Sequence, residues 1–465
     1  MTVLDLPVRP GDTPRDSRPP GPPAPRPRGR TPCLPAAAEK LLPALPVCAV
    51  LLALCLPVPR GDVASSGHAT LPDLVSALAV LWCALSLLRH RSRPLRPVTA
   101  LLWGAPVLAF AAATLTSGDV PASLPGLVRW MQIFVAVPAA VTLTLRRTDH
   151  VRAACWALVT TALVQGAVGV HQNLTATGAS YRGQDIRAVG TFGALDVMGM
   201  SVVVGCGLVA ALALGAGAPS HRRTQRWTAY GCAAALTLPL ICSYSRGAWI
   251  ATAVAGTVVL LMTGPRRALA VLAALAAGAV VLVAGLGVGS ATVGERLTSI
   301  ARIHDAPDQS VVDRYALWDA ALGMWSDAPV TGVGLKRFPA DRDGHAPLGL
   351  SAGSDTAGAG GQFVREPLLS PHNLYLLVLS EQGLCGALAV VGGWAAMLVA
   401  GVRRLHDTRL RGRPTDVGAA ATGVLVWMLV DFFSSDIGGP STVLTGVVLG
   451  LGAHWAFPAR KEGTA

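Results

Sequence analysis

His372 lies in the stretch SPHNLYLLVLSEQG, Ser370 to Gly383, where the longest polar segment of the chain meets a long apolar run. It follows Pro371 and falls about where a helix would begin. A histidine at a helix N-terminus meets the positive end of the helix dipole, which favours the neutral imidazole a general base needs. An interfacial polar anchor at a helix end would use the same residue, so the position alone leaves both roles open. Three arginines stand at similar borders: Arg246 in SYSRGAW, Arg187 in IRAVGTFG and Arg314 in DRYALW. Guanidinium groups match pyrophosphate oxygens bidentately, so three of them with a histidine make an anionic-substrate site. Singly, each could equally snorkel to headgroup phosphates.

The elements that must position these residues follow from composition. A chain of 465 residues with 52% apolar and only 14% charged residues, and a mean hydropathy of +0.50, is no ordinary soluble protein. Repeated apolar runs of roughly 20 residues predict an all-α polytopic membrane protein. Spans are expected near 41–58, 71–88, 98–116, 124–145, 151–171, 192–217, 227–244, 247–263, 267–288, 373–401, 417–434 and 440–457. The organisation is then a disordered basic Pro/Arg-rich tail at 1–40, nine spans within 41–288, a long loop at 289–371, three spans within 372–457 and a short tail at 458–465. The net charge of +12 does not point to nucleic acid, because the charges cluster in short loops between apolar runs. Of the nine cysteines only Cys33 lies outside an apolar run, and no CxxC pair occurs, so they read as small packing residues.

Loop charge predicts orientation. With the N-terminus inside, the cytoplasmic segments carry 26 of the 38 Lys and Arg, whereas the short loops opposite carry four: Arg60, Arg182, Arg187 and Arg246. Long loops are excluded from the rule. Both termini are expected in the cytoplasm, with the long loop, His372 and the three arginines outside it. Within that loop Tyr315, Trp318, Leu322 and Trp325 share one helical face, which predicts an amphipathic helix against the headgroups. Gly332 and Gly334 predict a turn, and 341–362, rich in Gly, Ser and Asp, a flexible flap. Arg129, Glu381 and Asp431 fall inside expected spans, where an ion pair fixing helix packing is the simplest expectation.

Taken in order, RAVGTFG, SYSRGAW, DRYALWDAALGMWSDAPVTGVGLKRF and SPHNLYLLVLSEQGLCG resemble the motifs of the O-antigen ligase and polymerase-like membrane glycosyltransferases over about 185–390. The resemblance implies about twelve spans, a large loop between the ninth and tenth, and a place in the bacterial plasma (inner) membrane. It implies a polyprenyl-pyrophosphate-linked glycan donor, a glycan or lipid acceptor, and no metal or other cofactor. His372 would be the catalytic histidine, Arg246 and Arg314 the functional arginines, and Arg187 a commonly basic position, the three arginines binding pyrophosphate. Asn373 and Glu381 lie in the family's HN…E.G pattern, which implies an orienting or structural role. Asp196 departs from the pattern: Leu195-Asp196 stands where many relatives carry Pro-Asn, which leaves open whether it shares the orienting or structural role.

Such chemistry suits the expected location, because nucleotide sugars are absent outside the cytoplasm and the donor must arrive already activated. An acceptor hydroxyl would attack the anomeric carbon with inversion, His372 taking the proton and the arginines stabilising the leaving pyrophosphate. The Asp341-Arg342-Asp343 triplet resembles a metal-binding DxD but is not expected to bind metal. The rival class is a transporter or flippase, where twelve spans are common. Against it, no repeat relates the halves, and the 89–97 loop lacks a major-facilitator signature. Polymerase and ligase differ only in the acceptor.

Overall fold

The computed structural model describes residues 41–58, 69–90, 96–181, 184–264, 309–347, 354–356, 363–365 and 369–458. The expected tail at 1–40, the ninth expected span at 267–288 and much of the flap at 341–362 lie outside them. The described chain is helical, as expected, with two small antiparallel hairpins beside the helices. In order it forms α1 (Leu45–Ala53), α2 (Leu71–His90), α3 (Pro97–Leu115), α4 (Val120–Met131), which passes through a π-helical turn into α5 (Val137–Thr144), and α6 (Thr148–Thr175). The hairpin β1 (Ala179–Tyr181) with β2 (Gln184–Arg187) leads to α7 (Gly199–Ala216), α8 (Arg223–Cys242) and α9 (Arg246–Thr263). Then come α10 (Gln309–Asp327), α11 (Phe338–Asp341), the hairpin β3 (Ser354–Thr356) with β4 (Phe363–Arg365), α12 (Leu374–Gly386), α13 (Gly392–Leu410), α14 (Asp416–Asp431) and α15 (Val443–Ala456).

Among the described residues helices stand at eleven of the twelve expected spans, and seven helices are long and apolar enough to cross a membrane by length and composition. The α7 helix is the hub, and nearly every residue in it is buried. Small residues let its neighbours close in, as packing without a hydrophobic drive requires. A side chain at Gly205 would enter the Trp427 ring of α14, and one at Gly207 would meet Ala162 of α6. An aromatic chain runs from Phe110 through Trp130, Phe134 and Trp394 to Phe432 and Tyr375, with ring centroids 4.6–6.4 Å apart. It ties α3 and α4 to the start of α12, and each such contact is worth roughly 0.5–1.5 kcal/mol.

Basic side chains close the end of the bundle away from His372. Arg152 pairs with Asp416 at 2.8 Å, Arg226 donates to the Ala218 carbonyl at 2.6 Å, and Arg409 donates to the Leu261 carbonyl at 3.0 Å.

The expected span 373–401 is not one rod. The helix from Leu374 to Leu410 has 37 residues, or about 55 Å at ~1.5 Å per residue, against a hydrocarbon core of about 30 Å. Gly383 breaks it, with φ +60 and ψ −159. Residues 329–334 of the long loop run into the break. Val333 and Gly334 donate N–H bonds to the carbonyls of Ser380 and Glu381, both at 3.0 Å. Leu384 and Cys385 donate in turn to the carbonyls of Pro329 and Val330, at 2.9 and 3.0 Å. Backbone freed by a helix break is thus satisfied by protein, as burial demands. The close approach requires glycine: a Cβ at Gly332 would overlap the Glu381 carbonyl group. Buried Glu381 completes the seam, its two oxygens accepting from Lys336 N (2.8 Å) and Phe338 N (3.0 Å).

Candidate active site

The SYSRGAW motif is turn chemistry carrying an arginine. The α8 helix ends at Cys242, Tyr244 takes the left-handed conformation with φ +50, and Ser245 caps α9 by accepting from Ala248 N at 3.3 Å. Arg246 is therefore the first residue of α9, where the helix N-terminus adds to its attraction for anions. The RAVGTFG motif is a loop bolted to α6 by two glutamines. Gln172 Oε1 accepts from Val189 N (3.0 Å) and Gly190 N (2.9 Å), and Gln165 Oε1 accepts from Thr191 N (2.9 Å). Gly190, at φ +63, lies so close that a Cβ would strike Gln165 Oε1. Ala188 N donates to the Cys242 carbonyl at 3.3 Å, setting the Arg187 loop against the turn before Arg246. The Arg187 Nη1 lies 3.6 Å from Met198 Sδ.

Arg314 lies within α10, five residues after its first residue Gln309, with Arg246, Asp436 and Asp431 as its charged neighbours. Burial, and then Arg246 beside it, pull its guanidinium below the ordinary arginine range. The helix buries Leu317, Ala320, Ala321 and Met324, and leaves Tyr315 and Leu322 exposed. The aromatic face expected against headgroups is thus the outward one. Trp318 turns back to donate from Nε1 to the Pro371 carbonyl at 3.0 Å.

His372 has a half-exposed side chain, 47% accessible, with Nδ1 3.9 Å from Asp436 Oδ2. Its backbone is left-handed at φ +49. The cap of α12 is Asn373, whose Oδ1 accepts from Leu376 N at 3.1 Å, so His372 precedes the cap. It stands at the N-terminal border of the helix, as expected, with a left-handed backbone and Asp436 as its neighbour. Its N–H donates to Ser370 Oγ at 3.4 Å, and the Ser370 hydroxyl donates to Asp436 Oδ2. Burial holds the Asp436 carboxyl above the ordinary carboxylate range, against the pull of His372 and Arg314. Asp431 ends α14, and Ser435 Oγ donates to it at 2.5 Å. A side chain at Gly247, next to Arg246, would strike Ser434, so α9 starts directly against this 431–436 turn.

Arg246, Arg314 and His372 thus meet around Asp431 and Asp436, while Arg187 and Asp196 enter on adjoining loops. Asp196 Oδ2 accepts from Ser441 N at 2.9 Å, a structural bond to the same turn. Glu381 binds the Lys336–Phe338 backbone and so orients the long loop, in place of a role beside His372. In the Asp341-Arg342-Asp343 triplet the acids pair with arginines: Asp341 with Arg337 at 2.9 Å, Asp343 with Arg342 at 3.1 Å. Among the described residues, three of the four non-glycine residues with positive φ are Tyr244, Lys336 and His372, each inside a motif quoted above. Such strain gathers at functional sites because surrounding structure must over-determine it. Asp436 carried no motif signal. Its trace in the sequence is one carboxylate in a Ser/Gly turn at the end of a span.

Residues 231–391 match the family model described as O-antigen ligase. The matched third of the chain takes in Arg246, Arg314, His372 and Glu381 and leaves out Arg187, Asp196, Asp431 and Asp436. No curated protein matches the chain. Over that stretch the chain is O-antigen ligase-like, within a protein whose apolar helices make it a membrane protein.

Proposed function

We propose that this O-antigen ligase-like membrane protein is a glycosyltransferase of surface-polysaccharide assembly. It transfers or polymerises a polyprenyl-pyrophosphate-linked glycan onto an acceptor hydroxyl at the outer face of a bacterial inner membrane. The observation that carries this reading is the convergence of Arg246, Arg314 and His372 on the Asp431–Asp436 turn. Twelve spans, cytoplasmic termini and an external long loop complete it.

In the reaction the acceptor oxygen bonds to the anomeric carbon as the bond from that carbon to the pyrophosphate oxygen breaks, inverting the centre. The acceptor proton passes to His372. Its Nδ1 faces Asp436, which leaves Nε2 for the acceptor, and the carboxylate favours the imidazolium that forms. Arg246 and Arg314, joined by Arg187, meet the charge growing on the leaving pyrophosphate, which departs with its polyprenyl chain. Guanidinium charge takes this role without a metal, so transfer should persist with chelator.

The test uses purified protein in detergent, a lipid-pyrophosphate-linked glycan and an acceptor, with chelator present. Transfer by the parent and none by His372→Ala is expected. Detergent abolishes the two sides of the membrane, so turnover there excludes a transporter or flippase. Wild-type transfer by His372→Ala, or dependence on added metal, would overturn the mechanism.

A further inference from the structure

Arg129 lies in α4, well removed in sequence from every motif above. Its guanidinium pairs with buried Asp73 of α2 and donates to Gln132 Oε1 at 3.2 Å. Asp73 is itself satisfied, accepting from Thr70 N (2.9 Å) and Thr70 Oγ1 (2.7 Å). Gln132 Nε2 donates to Ser76 Oγ at 2.9 Å. Everything needed to fix α2 against α4 is present in this set. Yet the second arm of Arg129 leaves it, Nη2 donating to the Gly439 carbonyl at 3.3 Å. Gly439 has φ +74, and a Cβ there would meet the Asp196 side chain at 2.6 Å. Two residues on, Ser441 N is held by Asp196. The turn that follows Asp436 is therefore gripped from two sides, three and five residues beyond the carboxylate that faces His372.

We propose that Arg129 is a positioning residue for the transfer reaction: by holding the Gly439 carbonyl it fixes the Asp436 carboxylate beside His372. The proposal rests on the base assignment made above. Only the guanidinium's geometry can serve both partners at once, because its fixed fork reaches Asp73 and Gly439 together. An ammonium would keep the ion pair with Asp73 and release the turn.

Arg129→Lys is the informative variant. Its abundance, thermal stability and KM for the lipid-linked donor should stay near the parent's, while kcat falls about tenfold to a hundredfold, the scale of a small misplacement. Parent-like kcat in Arg129→Lys would overturn the proposal. If that variant does not accumulate, the charge-neutral pair Asp73→Asn/Arg129→Gln is measured the same way, and parent-like kcat there would overturn it equally. His372→Ala in the same assay separates the two assignments. Full activity in His372→Ala means that the base assignment itself fails. An inactive His372→Ala beside a parent-like Arg129→Lys means that only the role of Arg129 fails.

Discussion

Replacing His372 by glycine separates what the residue does for the fold from what it does for chemistry. The backbone there sits at φ +49, a conformation that costs a residue with a Cβ about 1–2 kcal/mol. Glycine relieves that strain but returns roughly 0.5–1 kcal/mol through the greater freedom of its unfolded chain. The imidazole is half exposed and 3.9 Å from Asp436, so losing that contact costs no more than about 1 kcal/mol. His372→Gly should therefore unfold within about 1 kcal/mol of the parent. It should also be at least as stable as His372→Ala, which keeps the strain and loses the contact. Transfer should nonetheless fall by about 10²–10⁴-fold in both, the usual contribution of a positioned base. Thermal unfolding and transfer rates of purified parent, glycine and alanine variants decide the matter. A glycine variant clearly less stable than the alanine one would refute the strain argument. Undiminished turnover per folded molecule would refute the base.

Two further substitutions and a fusion experiment address the rest of the site. Arg246→Lys keeps the charge and loses the bidentate fork, so a large loss of transfer at normal membrane abundance is expected; near-parental turnover would return Arg246 to headgroup anchoring. Glu381→Gln can accept from only one of Lys336 N and Phe338 N and sets an amide N–H against the other, costing about 2–3 kcal/mol in thermal unfolding; an unchanged unfolding temperature would show that the seam does not depend on the carboxylate. Reporter fusions at Ala346 and Arg409 should report opposite sides of the membrane, with Arg409 cytoplasmic, and a cytoplasmic signal at Ala346 would invert the proposed topology.

The helices were legible because each is a local apolar run, and the arginine and histidine motifs because each is a contiguous string. Arg246 could be seen at the end of a span from SYSRGAW alone, and the turn that makes it so is built from its own neighbours. What the sequence hid lies in contacts between distant segments. Asp436 faces His372 across 64 positions, and nothing in SSDIGGP announces it. Glu381 looked like a companion of His372 because they share one apolar run, but the break at Gly383 and the segment from 329 to 338 claim it first. Asn373, beside the histidine, takes the capping position of the helix, a role nothing in its immediate sequence separates from that of its neighbours. Hydrophobic periodicity reports which residues face inward; it carries no information on which other segment will meet them.

The seam at Gly383 makes the covalent link between Pro347 and Leu369 mechanically redundant. Four backbone hydrogen bonds and the Glu381 carboxylate already carry the load between the long loop and the helix that presents His372. The length and composition of the intervening chain can therefore drift without moving the imidazole. The register of His372 against Asp436 is set by parts that do not change with it.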